Sequence, residues 1–165
     1  MTEDHGDAIA AFWEVARSRG HLTTVPGYFG PTPLESVPPP AWSFGGTPEQ
    51  ADELLALVLK GRKTATASAR WDYESEDDVP VVGSLGIVLD GAGAPRALVS
   101  TTAVDVVRFA DVTEAHAYAE GEGDRSLAYW RQAHEEFFTT YAPEGQVFSA
   151  DMLVVVETFE VLYQH

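Results

Sequence analysis

Six prolines fall between positions 26 and 40 of this 165-residue chain, at Pro26, Pro31, Pro33, Pro38, Pro39 and Pro40. Proline fixes φ and has no backbone N–H, so no regular element persists at that density. At this total length we expect a strap that crosses the surface of one domain, although a linker between two domains has the same composition. Four aromatic residues give such a strap its apolar anchors: Tyr28, Phe29, Trp42 and Phe44. We therefore assign 1–41 to an N-terminal helix and proline-rich strap packed on the domain, and 42–165 to the domain itself.

Helices are predicted on both sides of this segment. Apolar residues at helical spacing predict one helix over 7–19, which ends at Gly20. Thr47-Pro48-Glu49-Gln50 combines an N-cap, a proline suited to the first turn and a glutamine at the capping-box position, and this helix ends at Gly61. A short helix is expected from Thr113 to about Glu120, and Ser126 caps a further one.

The remaining apolar segments have the patterns of strands. Residues 64–69 alternate with period two, as a half-buried strand does. Strands are also expected over 85–89 and 97–109, with a hairpin turn between them, and over 152–162, where a continuous apolar run indicates burial on both faces. This order predicts an α+β fold, and a small mixed β-barrel with flanking helices is the simplest arrangement that hides the sheet edges.

Charge and cysteine content exclude several classes of function. Twenty-six acids against ten bases give a net charge of −16, which opposes binding to duplex DNA or to anionic membranes. The chain has no cysteine, so it has no disulfide framework, thiolate metal site or cysteine nucleophile. No apolar run approaches the roughly 20 residues of a membrane span, and the acidic N-terminus is unlike a signal peptide. We expect a cytoplasmic protein.

The segment 61–66 is the first candidate site. Lys60, Arg62, Lys63 and Arg70 form a basic patch without an intervening acid. Lys63 follows the predicted helix and Thr66 lies in the next strand, so their side chains converge only if Lys63 is still in the turn. Neighbouring cations and burial would favour a neutral lysine, which can activate a threonine hydroxyl as a nucleophile. The alternative is an exposed turn lysine beside a threonine that simply favours a strand.

The loop Glu120-Gly121-Glu122-Gly123-Asp124 is the second candidate site. Its carboxylates could act as acid or base, ligate a hard cation, pair with the basic patch or only cap the following helix. His116 and Glu120 have a spacing that can hold a metal, but a structural histidine is the better interpretation, so we expect neither metal nor cofactor. Trp71 and Tyr73 follow the basic strand, where an aromatic ring could stack on a nucleobase.

Several motifs together resemble one family. Gly61-Arg62-Lys63-Thr64-Ala65-Thr66 resembles the G-x-K-x-x-T signature of ASCH domains, whose fold is a PUA-like β-barrel. The chain from about Trp42 to Leu162 is similar to the longer bacterial ASCH proteins. It shares with them Trp-Ser-Phe-Gly at Trp42–Gly45 and the Glu-Gly-Glu-Gly-Asp loop, followed by Ser126, Trp130, His134 and Phe137-Phe138. The resemblance implies that 42–165 is an ASCH domain.

The resemblance also implies a chemistry. Some small ASCH proteins are amidohydrolases of N4-acetylcytidine with a lysine base, a threonine nucleophile and a glutamate proton donor, which match Lys63, Thr66 and Glu120. Ser68 stands where those enzymes have an arginine. Around this triad we expect the substrate to contact Arg62, Ser68, Arg70, Trp71, Glu122, Asp124 and Ser126.

Other ASCH members bind or cleave RNA. The expected partner is thus a small nucleoside-like substrate or single-stranded RNA, and the protein is expected to be a monomer or homodimer.

Overall fold

The computed structural model describes residues 2–19 and 37–165. Over these ranges the elements are α1 (Thr2–Arg19), β1 (Ala41–Trp42), α2 (Pro48–Leu59), β2 (Ala65–Ala69), β3 (Leu85–Leu89), β4 (Pro95–Arg108), α3 (Glu114–Glu120), α4 (Leu127–Thr140) and β5 (Leu153–Gln164). The predicted strap lies outside the described residues over 20–36, including Tyr28 and Phe29.

The helices begin where their capping residues predict. Thr47 Oγ1 accepts a hydrogen bond from Gln50 N at 3.2 Å, and Ser126 Oγ accepts one from Tyr129 N at 3.0 Å. Gly61 adopts a φ of 77°, a left-handed conformation that glycine enters without steric cost, just after α2 ends. Within 2–19 and 37–165 no helix has the length and apolarity that crossing a membrane requires.

The five strands form one mixed sheet in the order β1-β3-β4-β5-β2. β1 runs parallel to β3, and the other neighbouring pairs are antiparallel. The described strands leave β1 and β2 as separate edges, so the sheet is open and the predicted barrel is not confirmed. The edge strand β1 is only two residues long, and residues of all five strands line one cavity.

Apolar packing holds the helices around the sheet. Phe12 and Trp13 of α1 pack with Ile87 and Leu98, while Trp130 of α4 packs with other core residues on the far side of the β2–β5 pair. Leu55, Val58 and Phe44 form a third cluster under α2. α3 contacts β2, and the turn before β2 meets the end of α3, where Thr64 N donates to Ala119 O at 2.8 Å.

Candidate active site

Lys63 lies in the turn between α2 and β2, where the sequence argument requires it. Arg62 N and Lys63 N both donate to Leu57 O, at 3.0 and 3.1 Å, which wraps the chain back over the end of α2. β2 starts only at Ala65, so Lys63 precedes the alternating strand geometry. Its side chain turns inward and the residue is 2% exposed. A solvent-exposed turn lysine is therefore excluded.

Three oxygen atoms surround the Lys63 amine. Its Nζ lies 2.9 Å from Ala65 O, 3.0 Å from Glu122 Oε2 and 3.3 Å from Glu120 Oε1. An ammonium group has three N–H donors, so each acceptor has one donor. The sequence places Lys60 and Arg62 beside this residue, but its charged neighbours in space are carboxylates. Lys63 therefore forms an ion pair with each of the two carboxylates.

Glu120 is the centre of a buried hydrogen-bond network. Its Oε2 accepts from Trp130 Nε1 and lies 2.7 Å from His116 Nε2, while its Oε1 lies 3.4 Å from His134 Nε2. Burial raises the pKa of this carboxyl, but the Lys63 charge and the hydrogen bonds from His116 and His134 outweigh it and hold the pKa well below its usual range. Glu120 is consequently a carboxylate at rest, although it is 1% exposed.

His134 completes the network from α4. Its Nδ1 donates to Trp130 O at 2.9 Å, and its ring stacks on the Trp130 indole with centroids 4.1 Å apart. Burial lowers the pKa of His134, but the hydrogen bond and charge of Glu120, with Glu122 behind it, outweigh burial and raise the pKa. His134 therefore belongs to the buried hydrogen-bond network and also lines a cavity.

We expect His134 to make stability depend on pH. A raised folded-state pKa stabilises the fold below the unfolded value and loses that contribution as pH rises through the folded value. The His134→Phe variant keeps a ring on Trp130 and removes the charge. The loss of unfolding free energy in this variant should be larger at about pH 6 than at about pH 9. Urea unfolding of both proteins measures it, and an equal loss at both pH values would contradict the assignment.

Arg62 fixes the glycine loop against the lysine turn. Its Nε donates to Gly121 O at 2.8 Å and its Nη2 to Gly123 O at 3.0 Å. Gly121 has a φ of 72°, and a Cβ there would lie 2.3 Å from Arg62 O, so the two backbones touch with no room for a side chain. Glu120 and Glu122 on either side of this glycine are thereby held at Lys63.

Two adjoining cavities meet at Thr66. The lysine cavity, of about 480 Å³, is lined by Lys63, Glu120, Glu122 and His134. The aromatic cavity, of about 650 Å³, is lined by rings and acids that include Trp42, Phe44, Tyr73, Phe137, Phe159, Asp72, Asp77, Asp78 and Glu157. Both linings share Phe44, Gly45, Thr66, Ala67 and Phe137. Thr66 therefore lies on the boundary, and Lys63, Thr66 and Glu120 line one cavity.

The other predicted contact residues divide into two groups. Ser68 lines the aromatic cavity, where its Oγ lies 2.8 Å from Tyr73 Oη, and Glu122 lines the lysine cavity. The remaining five, which are Arg62, Arg70, Trp71, Asp124 and Ser126, lie outside both linings.

Each of those five residues has a structural contact instead. Arg70 Nη1 donates to Tyr73 O at 3.0 Å, and Trp71 packs against the cluster around Trp130. Asp124 Oδ1 accepts from Ser126 N at 2.9 Å, and Ser126 caps α4. The basic patch is therefore largely used within the fold, with Lys63 buried and Arg62 bound to the loop.

One set of side chains could hold a metal ion. Ligand atoms of Glu120, Glu122 and His134 lie within 4.8 Å of one another. Lys63 Nζ already contacts both carboxylates, so the ammonium occupies the place where a cation would neutralise them. The arrangement fits a lysine–carboxylate site better than a metal centre.

A family model and a solved structure both indicate the ASCH domain. The family model of the ASCH domain matches residues 40–163. The crystal structure of the ASCH domain from Lactobacillus crispatus JV V101 is similar, with a TM-score of 0.73, 31% identity, and coverage of 92% of this chain and 94% of that chain. Protein EF3133 from Enterococcus faecalis V583 has a TM-score of 0.69 and 39% identity, covering 76% of this chain and 77% of that chain. No curated protein matches the chain.

Proposed function

The chain belongs to the ASCH domain family, and from that membership we propose that it is a hydrolase of a small amide on a nucleoside, of the N4-acylcytidine type. One observation carries the proposal: a buried lysine held by two carboxylates lines the same cavity as Thr66. A base, a nucleophile and a proton donor are the groups that amide cleavage requires. In this assignment Lys63 is the base, Thr66 the nucleophile and Glu120 the proton donor.

The ion pair supplies both the base and the acid by one internal proton shift. Moving one proton from Lys63 Nζ to Glu120 Oε1 converts an ammonium and a carboxylate into a neutral amine and a carboxylic acid. Both partners of this pair become neutral together, Glu122 keeps its charge on the more exposed side of the cavity, and no proton is exchanged with solvent. The resting contacts favour the charged pair, so the neutral pair is the minor form that reacts.

The reaction then balances in two steps. Lys63 takes the proton of the Thr66 hydroxyl as Oγ attacks the amide carbonyl carbon, and the C–N bond breaks as Glu120 protonates the leaving nitrogen. This restores the ammonium and the carboxylate and leaves an acyl ester on Thr66. Water hydrolyses the ester, which releases the carboxylic acid and regenerates the hydroxyl.

A panel of acylated nucleosides tests the proposal. We expect the protein to release cytidine from at least one N4-acylcytidine, followed by chromatography. Thr66→Val keeps the shape and removes the hydroxyl, so it should lower turnover by about 10²–10⁴. Thr102→Val is the matched control, because Thr102 is exposed on β4 and lies outside both cavities, and it should leave turnover unchanged.

RNA binding is the competing function within the family. The acidic surface and the internal use of Lys63 and Arg62 support only weak binding of oligonucleotides, about 10⁻⁴ M or weaker near physiological salt. Titration of labelled RNA at two salt concentrations measures this. Absence of hydrolysis across the panel, together with sub-micromolar RNA affinity and a steep salt dependence, would replace the hydrolase by an RNA-binding module.

A further inference from the structure

Glu157 lies beside the proposed nucleophile in the sheet. In the β2–β5 pair, Thr66 and Glu157 are directly opposite each other. Side chains of directly opposed residues share one face of the sheet, with Cβ atoms about 4.5–5.5 Å apart. Glu157 and Thr66 both line the aromatic cavity. A substrate group that reacts at Thr66 on β2 therefore lies next to the Glu157 carboxyl on β5.

The Glu157 carboxyl has hydrogen-bond acceptor sites that the described residues do not use. Its Oε2 accepts from Thr101 Oγ1 at 3.2 Å, which is its one hydrogen bond to the described residues. No cation among the described residues forms an ion pair with it, and burial raises its pKa more than the Thr101 hydrogen bond lowers it. A carboxyl with several acceptor sites and one neutral partner can bind a further donor.

The other residues that line the aromatic cavity indicate which class of ligand could supply this hydrogen-bond donor. Its rings favour a planar ligand that can stack. Asp72, Asp77 and Asp78 line it together with Glu157, and the described lining contains no Lys or Arg. Residues 20–36, which the structure does not describe, contain no Lys or Arg in their sequence either. Such a cavity favours N–H donors and repels phosphate.

We propose that Glu157 is a specificity-determining residue that accepts a hydrogen bond from an exocyclic N–H of a planar, phosphate-free heterocycle in the aromatic cavity. This inference rests on the proposed hydrolase function. An amide N–H is attached to the atom next to the carbonyl carbon, so a substrate with that carbon at Thr66 has its N–H within reach of Glu157 on the neighbouring strand. The ligand class is thus an aminopyrimidine-type nucleoside or base, not a nucleotide.

Binding of three probes tests the inference without any turnover. Cytidine has the exocyclic N–H, N4,N4-dimethylcytidine lacks it, and cytidine 5′-monophosphate adds a phosphate. By calorimetry the wild-type protein should bind cytidine about tenfold or more tightly than the dimethyl analogue. It should also bind cytidine about tenfold more tightly than the monophosphate at low salt.

Variants of Glu157 distinguish a hydrogen bond to the exocyclic N–H from a simple difference in the size of the ligands. Glu157→Met removes the acceptor at similar length, so the difference between cytidine and its dimethyl analogue should disappear, whereas Glu157→Gln keeps an acceptor oxygen and should retain it. Glu160→Met, at an exposed position of β5 outside both cavities, is the matched control and should bind as wild type does. Circular dichroism checks that each variant is folded.

An unchanged preference in Glu157→Met, or equal wild-type affinities for cytidine and either analogue, would overturn the inference. Because these are binding measurements, they can fail while hydrolysis succeeds. Hydrolysis can likewise fail while the preference for cytidine holds, so the two proposals are judged separately.

Discussion

Lys63→Met should lower the free energy of unfolding by about 3–5 kcal/mol. The variant keeps the apolar stem but leaves Glu120, 1% exposed, without the cation that stabilises its charge. Because Lys63 is buried between two carboxylates, its replacement is expected to affect the fold as well as the chemistry. Urea unfolding at neutral pH measures the effect.

Lys60→Met is the matched control for this prediction. Lys60 is exposed at the end of α2, and its loss should change stability by no more than about 0.5 kcal/mol. Adding Glu120→Gln to Lys63→Met removes the unpaired charge, so the double variant should recover part of the lost stability. A loss below about 1 kcal/mol in Lys63→Met would show that the pair is not buried as described.

Glu120→Gln should lower turnover on an N4-acylcytidine by about 10²–10⁴, the usual scale for a general acid or base. An amide cannot receive the Lys63 proton, so neither the neutral amine nor the proton donor forms. Turnover is compared by initial rates, on samples shown to be folded by circular dichroism.

Two controls decide whether Glu120 is the reacting carboxyl. Glu122→Gln should have a smaller effect, because Glu122 contacts Lys63 from the more exposed side of the cavity. Glu114→Gln, exposed in the first turn of α3, should have none. If Glu122→Gln were the more damaging variant, the proton donor would be Glu122 and the alignment of this loop with the family would shift by two residues.

Local sequence signals predict the elements well because they act over a few residues. The Thr47 and Ser126 caps set the starts of α2 and α4, and β3 spans exactly the apolar residues 85–89. The sequence left open whether Lys63 is still in the turn before its strand, and the structure places it there because β2 begins only at Ala65. Spacing within a helix likewise linked His116 to Glu120, which are in contact.

Features that depend on distant pairing were not visible in the sequence. In the sequence, Glu157 is one polar residue in an apolar strand. Its position in the site follows only from the strand register, which sets it opposite Thr66. The predicted closure into a barrel is not confirmed for the same reason, because the pattern of a strand does not say which sheet edges meet. Arg62 was predicted to contact the substrate because its charge is evident from the sequence. Its carbonyl partners lie 59 and 61 residues away, so the sequence does not reveal them.

The carboxylates that line the two cavities also affect release of the last product. In the proposed reaction the last product is a carboxylic acid, which ionises near neutral pH. It would form between Glu122 and Glu157, while Lys63 is already engaged by its own carboxylates. Like charges repel, so these carboxylates disfavour the bound acid. Release of the acid is thereby favoured, and accumulated acid should be a poor inhibitor of the next turnover.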